Sequence, residues 1–494
     1  MKIKKFLLLL ILPLVFIITG CQANIVEKTS KDLNTYNIDI VYNEDHTLTC
    51  KQTFNYTNRT ETTLENLMFH LYPRSFRQGA STSVVSSLNY DKCYYNGNSY
   101  GDIEITELKV NNEDTEIQIT GNDEDIANVE FTTPLAPDGN ADIYFEFKVT
   151  IPNINHRFGY GDDTINIANF YPVVCVYENG EFAIDSYHYN GDPFYSEVSN
   201  YNVNFTTPSN YVVATTGNVT STTDSETTKT YSINALAVRD FAIVQSDKFN
   251  IVSDKINKTT VNYYYYKNQY PNEAIKASID SVRTFNELFG EYPYETLNVV
   301  EADFVHGGME YPNLVLISDA VDVQSDFINV IVHEIAHQWW YGLVGVNETK
   351  DAWIDEGLAE YSTALFFDNH GEYKILYNDI INDAITSYTL YVDVISSING
   401  KINTKMNIPV NEYINEYEYT YMIYIKGTIL FDDLSVIVGR EKLIKALEKL
   451  CKQYRFKNIT TDIFTESIKS YTHKNTDTFF TNYLNGDVII GKLR

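Results

Sequence analysis

His333 and His337 stand four residues apart in the run Ile331-Val332-His333-Glu334-Ile335-Ala336-His337. On a helix that spacing stacks two imidazoles one turn apart, so both can offer a nitrogen to a single ion. Glu334, between them, faces the same space from a neighbouring angle. A zinc ion in a hydrolytic site takes three protein ligands and keeps a fourth position for water. Glu356 is the candidate third ligand: it follows His337 after 18 intervening residues, on a second apolar-periodic run from Trp353 to Phe366. A short loop through Gly342 and Gly345 lets that run fold back against the first. The set reads His333, His337 and Glu356 around one Zn2+, with Glu334 left free as general base.

Such an ion would draw the pKa of a water from about 16 towards 7, and Glu334 would accept the proton and pass it to the leaving amine. The segment HEIAHQWW, the 18-residue gap and WIDEGLAEY together resemble the zinc site of the aminopeptidase N family of gluzincin metallopeptidases. Upstream, Gly307-Gly308-Met309-Glu310-Tyr311 is similar to that family's G-A-M-E-N exopeptidase motif. Downstream, Tyr424-Ile425-Lys426-Gly427 is similar to its Y-x-K-G. Weaker similarity, as in GDPFYSEV and VRDFAIV, extends over most of the chain after residue 21.

The resemblance implies roles for further residues. Tyr424 would donate its phenol hydrogen bond to the oxyanion, with Tyr419 and Tyr421 as the alternatives. Glu310 would pair with a substrate's free α-ammonium, leaving only the first peptide bond over the metal. Gly307, Gly308 and Met309 complete the substrate-binding segment, the glycines letting backbone approach an extended peptide. Gly308 stands where Ala is usual and Tyr311 where Asn is usual, which bears on side-chain preference. Glu360, one turn beyond Glu356, can accept the second ring N–H of a zinc histidine. Asp355 replaces a usual Asn, His306 reads as a substrate-side or packing residue, and Lys426 as one that orients a helix or backbone.

The formal charge of −29 over 494 residues becomes −32 once Lys2, Lys4 and Lys5 are removed with a leader. That excludes the basic footprint that nucleic-acid binding requires. The leader is read from the start MKIKKFLLLLILPLVFIITGCQ, where a basic stretch precedes an apolar run from Phe6 to Ile18, too short to span a bilayer comfortably. Ile18-Thr19-Gly20-Cys21 resembles the bacterial lipobox, which implies a lipid-modified Cys21 and an extracytoplasmic, membrane-anchored protein. Gln22 to Asn34 reads as a polar spacer. Cys50, Cys93, Cys175 and Cys451 are too scattered for a zinc ribbon and leave room for one disulfide.

The elements that must position these residues divide the chain. The expected order is a signal peptide (1–20), the spacer (21–34), an N-terminal β domain (35–250), a catalytic domain (251–440) and a short helical C-terminal segment (441–494). In the first domain, alternating or β-branched runs such as Ile38–Val41, Thr47–Tyr56 and Ile143–Ile151 lie between Asn, Asp, Gly and Thr clusters, the pattern of an antiparallel sandwich or saddle. Pro271 opens a helix that Gly290 closes, and Leu297–Val300 and Leu314–Ile317 read as strands flanking the glycines. The fold class is α+β multidomain, and the resemblance implies a thermolysin-like α/β zinc peptidase domain after the β domain. Only 70 residues follow Tyr424, too few for the large superhelical domain of longer relatives, so a more open cleft is expected. The function this implies is a zinc aminopeptidase acting on peptides with a free N-terminus. The alternatives are an endopeptidase or oligopeptidase with the same metal site and a surface binding lipoprotein with a structural zinc.

Overall fold

The computed structural model describes residues 24–268, 270–488 and 490; the leader and Cys21 lie outside the described residues. The N-terminal half is β-rich. Its largest sheet contains Thr35–Asn43 (β1), Thr47–Thr57 (β2), Asp102–Val110 (β3), Asn140–Thr150 (β4), Ser199–Pro208 (β5), Asn218–Asp224 (β6) and Thr228–Val238 (β7). Their spatial order is β6-β7-β5-β1-β2-β4-β3, with the two-residue strand Glu113–Asp114 at the edge. The period-2 alternation gives this sheet one apolar and one polar face. On the inner face Tyr36 sits opposite both Tyr201 and Phe54, with ring centroids 4.8 and 4.2 Å away. On the outer face a row of amides crosses five strands. Asn234 donates to Asn202 at 2.8 Å, Asn202 to Asn37 at 2.9 Å, Asn37 to Asn55 at 2.8 Å and Asn55 to Asp142 at 2.7 Å. Two four-stranded sheets complete the domain.

The stretch read as a polar spacer is in part folded. Residues Ile25–Ser30 form a short helix (α1) capped by the Asn24 side chain, with Val26 buried. Asn24 also donates to the Pro293 carbonyl at 3.4 Å, and Asn200 donates to the Ser30 carbonyl at 2.8 Å. Val26 supplies the apolar contact that a fully solvated spacer would lack. The four described cysteines are free and buried, so the disulfide left open by the sequence is not formed.

A second sheet begins at residue 250. It comprises Asn250–Ile256 (β8), Thr259–Tyr265 (β9), Thr296–Ala302 (β10), Gly308–Met309 (β11) and Leu314–Ser318 (β12), in the order β8-β9-β10-β12-β11. β10 runs parallel to β9 and β12, while β11 pairs antiparallel at the edge. Parallel strands need a crossover, and Pro271–Phe289 (α2) provides the one between β9 and β10. Pro271 occupies the first turn of α2, and Gly290 at φ 101° ends it, as the sequence predicts. Further helices follow: Gln324–Ala336 (α3), Asp355–Asn369 (α4), Tyr377–Asn399 (α5), Glu416–Thr420 (α6), Lys426–Val438 (α7) and Arg440–Tyr454 (α8). The C-terminal segment is not purely helical, since Lys457–Asn458 pairs in parallel with Val344–Gly345. Among the described residues no helix is long and apolar enough to cross a membrane. The chain is thus an N-terminal β-rich domain followed by an α/β domain.

Arg239, just past β7, ties the halves together. It is 1% exposed and lies beside Asp240. Its Nε donates to the Tyr341 carbonyl at 2.9 Å, and its guanidinium also reaches the Ser196 carbonyl at 2.8 Å and the Asn458 side chain. A Cβ on Gly345 would lie 2.1 Å from the Arg239 Cζ, so only glycine lets this loop close over the guanidinium. Tyr341, held at φ 140°, hydrogen-bonds Asp240 through its hydroxyl. Replacing Arg239 by Met removes every donor and leaves Asp240 buried without its cation. That loss is expected to destabilise the protein by about 3–5 kcal/mol, read as a fall in the urea midpoint with an unchanged m-value.

Candidate metal centre and peptide cleft

Helix α3 buries Ile331, Val332, Ile335 and Ala336 against the core and ends with His337 as its C-terminal cap. Its polar positions, His333 and Glu334, turn towards α4, which carries Glu356 in its first turn. The atoms meet closely. His333 Nε2 lies 3.1 Å from His337 Nε2, and each lies 3.3 Å from Glu356 Oε2. Donors at ordinary Zn–N and Zn–O distances in a tetrahedron are about 3.3 Å apart. His333, His337 and Glu356 therefore fit one zinc ion as the sequence predicts.

The outer nitrogens fix which ring atom faces the metal. His337 Nδ1 is 2.9 Å from the Trp340 carbonyl, which can only accept, so Nδ1 carries the proton and Nε2 is the free base. His333 Nδ1 is 3.2 Å from Glu360 Oε1, the role expected for Glu360. Electrostatics agree with a cation-binding function. Burial would raise Glu356, but the imidazoles of His337 and His333 outweigh it and bring its pKa down to about 2. Burial opposes protonation of His337, yet Glu356 and Glu310 raise it to about 10.

These groups line one cavity of about 410 Å³. Glu334 and Glu310 are 5% and 4% exposed, and Glu334 Oε2 and Glu310 Oε1 have no hydrogen-bond partner within the protein. Burial raises Glu334 to about 7, against the pull of His333 and His337, which suits a group that takes and returns a proton near neutrality. Gly308 is explained by Glu334: a Cβ there would lie 2.2 Å from Glu334 Oε1. Gly307 and Gly308 line the cavity where edge strand β11 begins, with Gly308 paired to Ile317 and the Gly307 carbonyl, just before the strand, accepting from Ser318.

Two assignments in this segment are corrected. Met309, placed with the substrate-binding residues, is 1% exposed, packs in the core and does not line the cavity. Strand alternation turns Gly308 and Glu310 one way and Met309 the other. Tyr311 is likewise buried, its hydroxyl donating to Asn169 Oδ1 at 3.0 Å, so it joins the domains and does not shape the pocket.

Tyr424 reaches the site from a π-helical turn, Tyr421–Ile425, and its hydroxyl donates to Glu356 Oε1. Tyr419 also lines the cavity, whereas Tyr421 stacks on Tyr391 away from it. Lys426 is fully buried and donates to the carbonyls of Thr404 and Tyr483 at 2.6 and 2.9 Å, a structural role. Asp355 is buried against Glu348. Burial and its neighbour Glu356 raise Asp355 to about 8, while burial and Asp355 hold Glu348 well above the usual range.

Three contributors escaped the sequence reading. Gln338 Oε1 accepts from the Asn313 amide at 2.9 Å, and its Nε2 donates to the carbonyls of Glu310 and Tyr311 at 3.3 and 3.2 Å. The residue after the second histidine thus fixes the strand that carries Glu310. From the β domain, Asp192 and Arg157 pair with each other and line the cavity, Asp192 being the foremost carboxylate acting on Glu310. Asp192 lies within the quoted GDPFYSEV stretch, which was the only available signal. Replacing Glu360 by Ala frees the His333 ring. It should weaken zinc binding about 10- to 100-fold, measured by competition with a chromophoric chelator.

Comparison with known proteins adds to this geometry. Residues 273–483 match the Peptidase family M1 domain. Aminopeptidase M1-D of Oryza sativa subsp. japonica is 23% identical over 223 residues, 43% of this chain and 25% of that protein. Endoplasmic reticulum aminopeptidase 2 of Homo sapiens is 26% identical over 209 residues, 40% and 21% of the two chains. The matched part spans about a quarter of the length of these relatives. The crystal structure of an M1 zinc metallopeptidase from Deinococcus radiodurans superposes with a TM-score of 0.65 at 14% identity, covering 93% of this chain and 95% of that one. A mutant of that enzyme bound to a Tyr-Ser-Ala substrate superposes with a TM-score of 0.63, also at 14% identity and over the same shares. Residues 273–483, which hold all three metal ligands, thus form a Peptidase family M1 domain, of the aminopeptidase N family, behind an N-terminal β-rich domain.

Proposed function

We propose that the protein is a zinc aminopeptidase that removes N-terminal residues from peptides. The observation that carries this reading is the position of Glu310: a buried carboxylate with an unpartnered oxygen, in the same cavity as the three metal ligands. A buried carboxylate without a partner is costly, and an α-ammonium group offsets that cost where a neutral acylated amine does not. The Tyr-Ser-Ala bound to the structural neighbour supports a peptide as the substrate class.

A zinc ion held by His333, His337 and Glu356 supplies Lewis acidity, activating water and polarising the scissile carbonyl. The chain's own groups do the rest. Glu310 fixes the amino end, so that the first peptide bond lies over the metal. Glu334 takes the proton of the attacking water and delivers it to the departing amine. Tyr424, freed from Glu356, donates its hydroxyl to the developing oxyanion. The edge of β11 at Gly307 and Gly308 pairs with the extended substrate backbone.

Glu334→Gln should retain zinc and lose at least about 10²-fold in kcat, checked by metal analysis and arylamide hydrolysis on the same sample. One peptide offered with free and with acetylated amino ends tests the terminal specificity. Cleavage is expected only of the free form, and equal cleavage of both would make the protein an endopeptidase.

We also infer attachment to the outer face of a bacterial cytoplasmic membrane through lipid on Cys21. The supports are the basic and apolar leader and the Ile18-Thr19-Gly20-Cys21 sequence. Cys21→Ser should shift the protein from the membrane to the soluble fraction of fractionated cells. Retention of that variant on membranes would argue against the anchor.

A further inference from the structure

Glu310, which would hold the amino end of a bound peptide, lines the cavity together with Asp192 of the β domain. Asn329 and Val330 of α3 and Glu360 of α4 line the same cavity. Asn89, Gly191 and Asp192 of the β domain and Glu416 and Tyr419 of α6 line it too, beside Glu310, and form the compartment open to the side chain of the first residue.

That compartment has a built lining. Glu416 of α6 faces the cavity with its side chain 24% exposed. It is oriented from the β domain: Asn89 Nδ2 donates to its two oxygens at 3.0 and 3.1 Å, and the Ser86 hydroxyl donates to Oε2. His306 Nδ1 lies 3.9 Å from Glu416 Oε1. Burial, reinforced by Arg157, lowers His306 to about 3, so it is a neutral ring and does not neutralise Glu416. Tyr419 adds a hydroxyl, 3% exposed as a residue, that is buried without a hydrogen-bond partner. Arg157, the cavity's one cationic guanidinium among the described lining residues, is already paired with Asp192. The same end is bridged between domains by Asn190, which donates to the Val410 carbonyl at 3.0 Å.

We propose that Glu416, held by Ser86 and Asn89 and flanked by His306 and Tyr419, selects N-terminal residues with a cationic, hydrogen-bonding tip, arginine first and lysine second. This rests on the aminopeptidase reading. A guanidinium can donate to the carboxylate and to the free Tyr419 oxygen together, whereas an acidic side chain would meet the Glu416 charge.

Arginyl- and citrullyl-arylamide separate charge from shape, because the two side chains are nearly isosteric and only arginine is cationic. With the zinc-loaded full chain, kcat/KM for the arginyl substrate should exceed that for the citrullyl substrate at least about tenfold. Glu416→Gln, which keeps the acceptor for Asn89 and Ser86, should collapse that ratio towards one. A wild-type ratio near one, or an unchanged ratio in Glu416→Gln, overturns the proposal. If Glu416→Gln does not fold, the wild-type ratio and the ratio for Asn89→Ala, expected to fall part of the way, decide instead. Hydrolysis of leucyl-arylamide without discrimination between the two probes overturns only the role of Glu416. Failure of wild type to cleave any aminoacyl-arylamide overturns the aminopeptidase reading with it.

Discussion

Glu310, Glu334, Glu356, Asp355 and Glu348 are all at most 5% exposed and gathered around the ends of two helices and one edge strand. Carboxylates removed from water and set side by side repel one another, and such an arrangement persists only if cations or protons compensate it. The chain compensates in separate ways. His333 and His337 face Glu356, the combination that takes a divalent ion. Burial and neighbouring carboxylates hold Asp355 and Glu348 above the usual carboxylate range, which favours their neutral forms. Glu310 and Glu334 keep oxygens free in the cavity, and on the proposed reading those are the two positions where a substrate would bring either an ammonium group or a proton to transfer. The distribution of compensation over five acids is what separates the binding, proton-transfer and metal-holding roles.

The rest of the fold keeps this cluster in register. The loop after α3 is clamped onto Arg239, so the metal helix cannot shift relative to the β domain without breaking the hydrogen bond to Tyr341, while Ser196 and Asn458 hold the guanidinium in place. Gln338 couples the same helix to the strand bearing Glu310. The two histidines and Glu310 are thus held in register by one helix, through Gln338 beyond its end. Domain packing and site geometry are consequently the same problem in this protein.

What could be read in the sequence follows from how local each feature is. His333, Glu334 and His337 are set by helical spacing, and α2 was delimited by Pro271 and Gly290. Glu356 is set by its position on the next apolar-periodic run, whereas Tyr424 rests on motif resemblance, since nothing local selects one tyrosine among 40. Met309 went wrong because a motif was taken whole, although strand alternation separates its members. Gln338 partners residues 27 and 28 positions earlier, and Arg157 meets Asp192 across 35 positions, contacts without a periodic trace. The amide row from Asn234 to Asp142 misleads in another way. Asn ordinarily marks turns, yet here each one hydrogen-bonds across the sheet, so strands such as Ser199–Pro208 read poorly as β.

The bridged end between the β domain and α6 also governs the order in which things leave. On the proposed reading, an amino acid released there would sit behind the remainder of its peptide, at the end where Ser86 and Asn89 hold Glu416 and Asn190 meets Val410. The shortened chain would then depart first and the single residue second, leaving Glu310 vacant for another amino end. Each cut would end in full dissociation. Trimming of a long peptide would proceed as a succession of independent encounters, in which a mixed population of intermediates builds up before any one molecule is consumed.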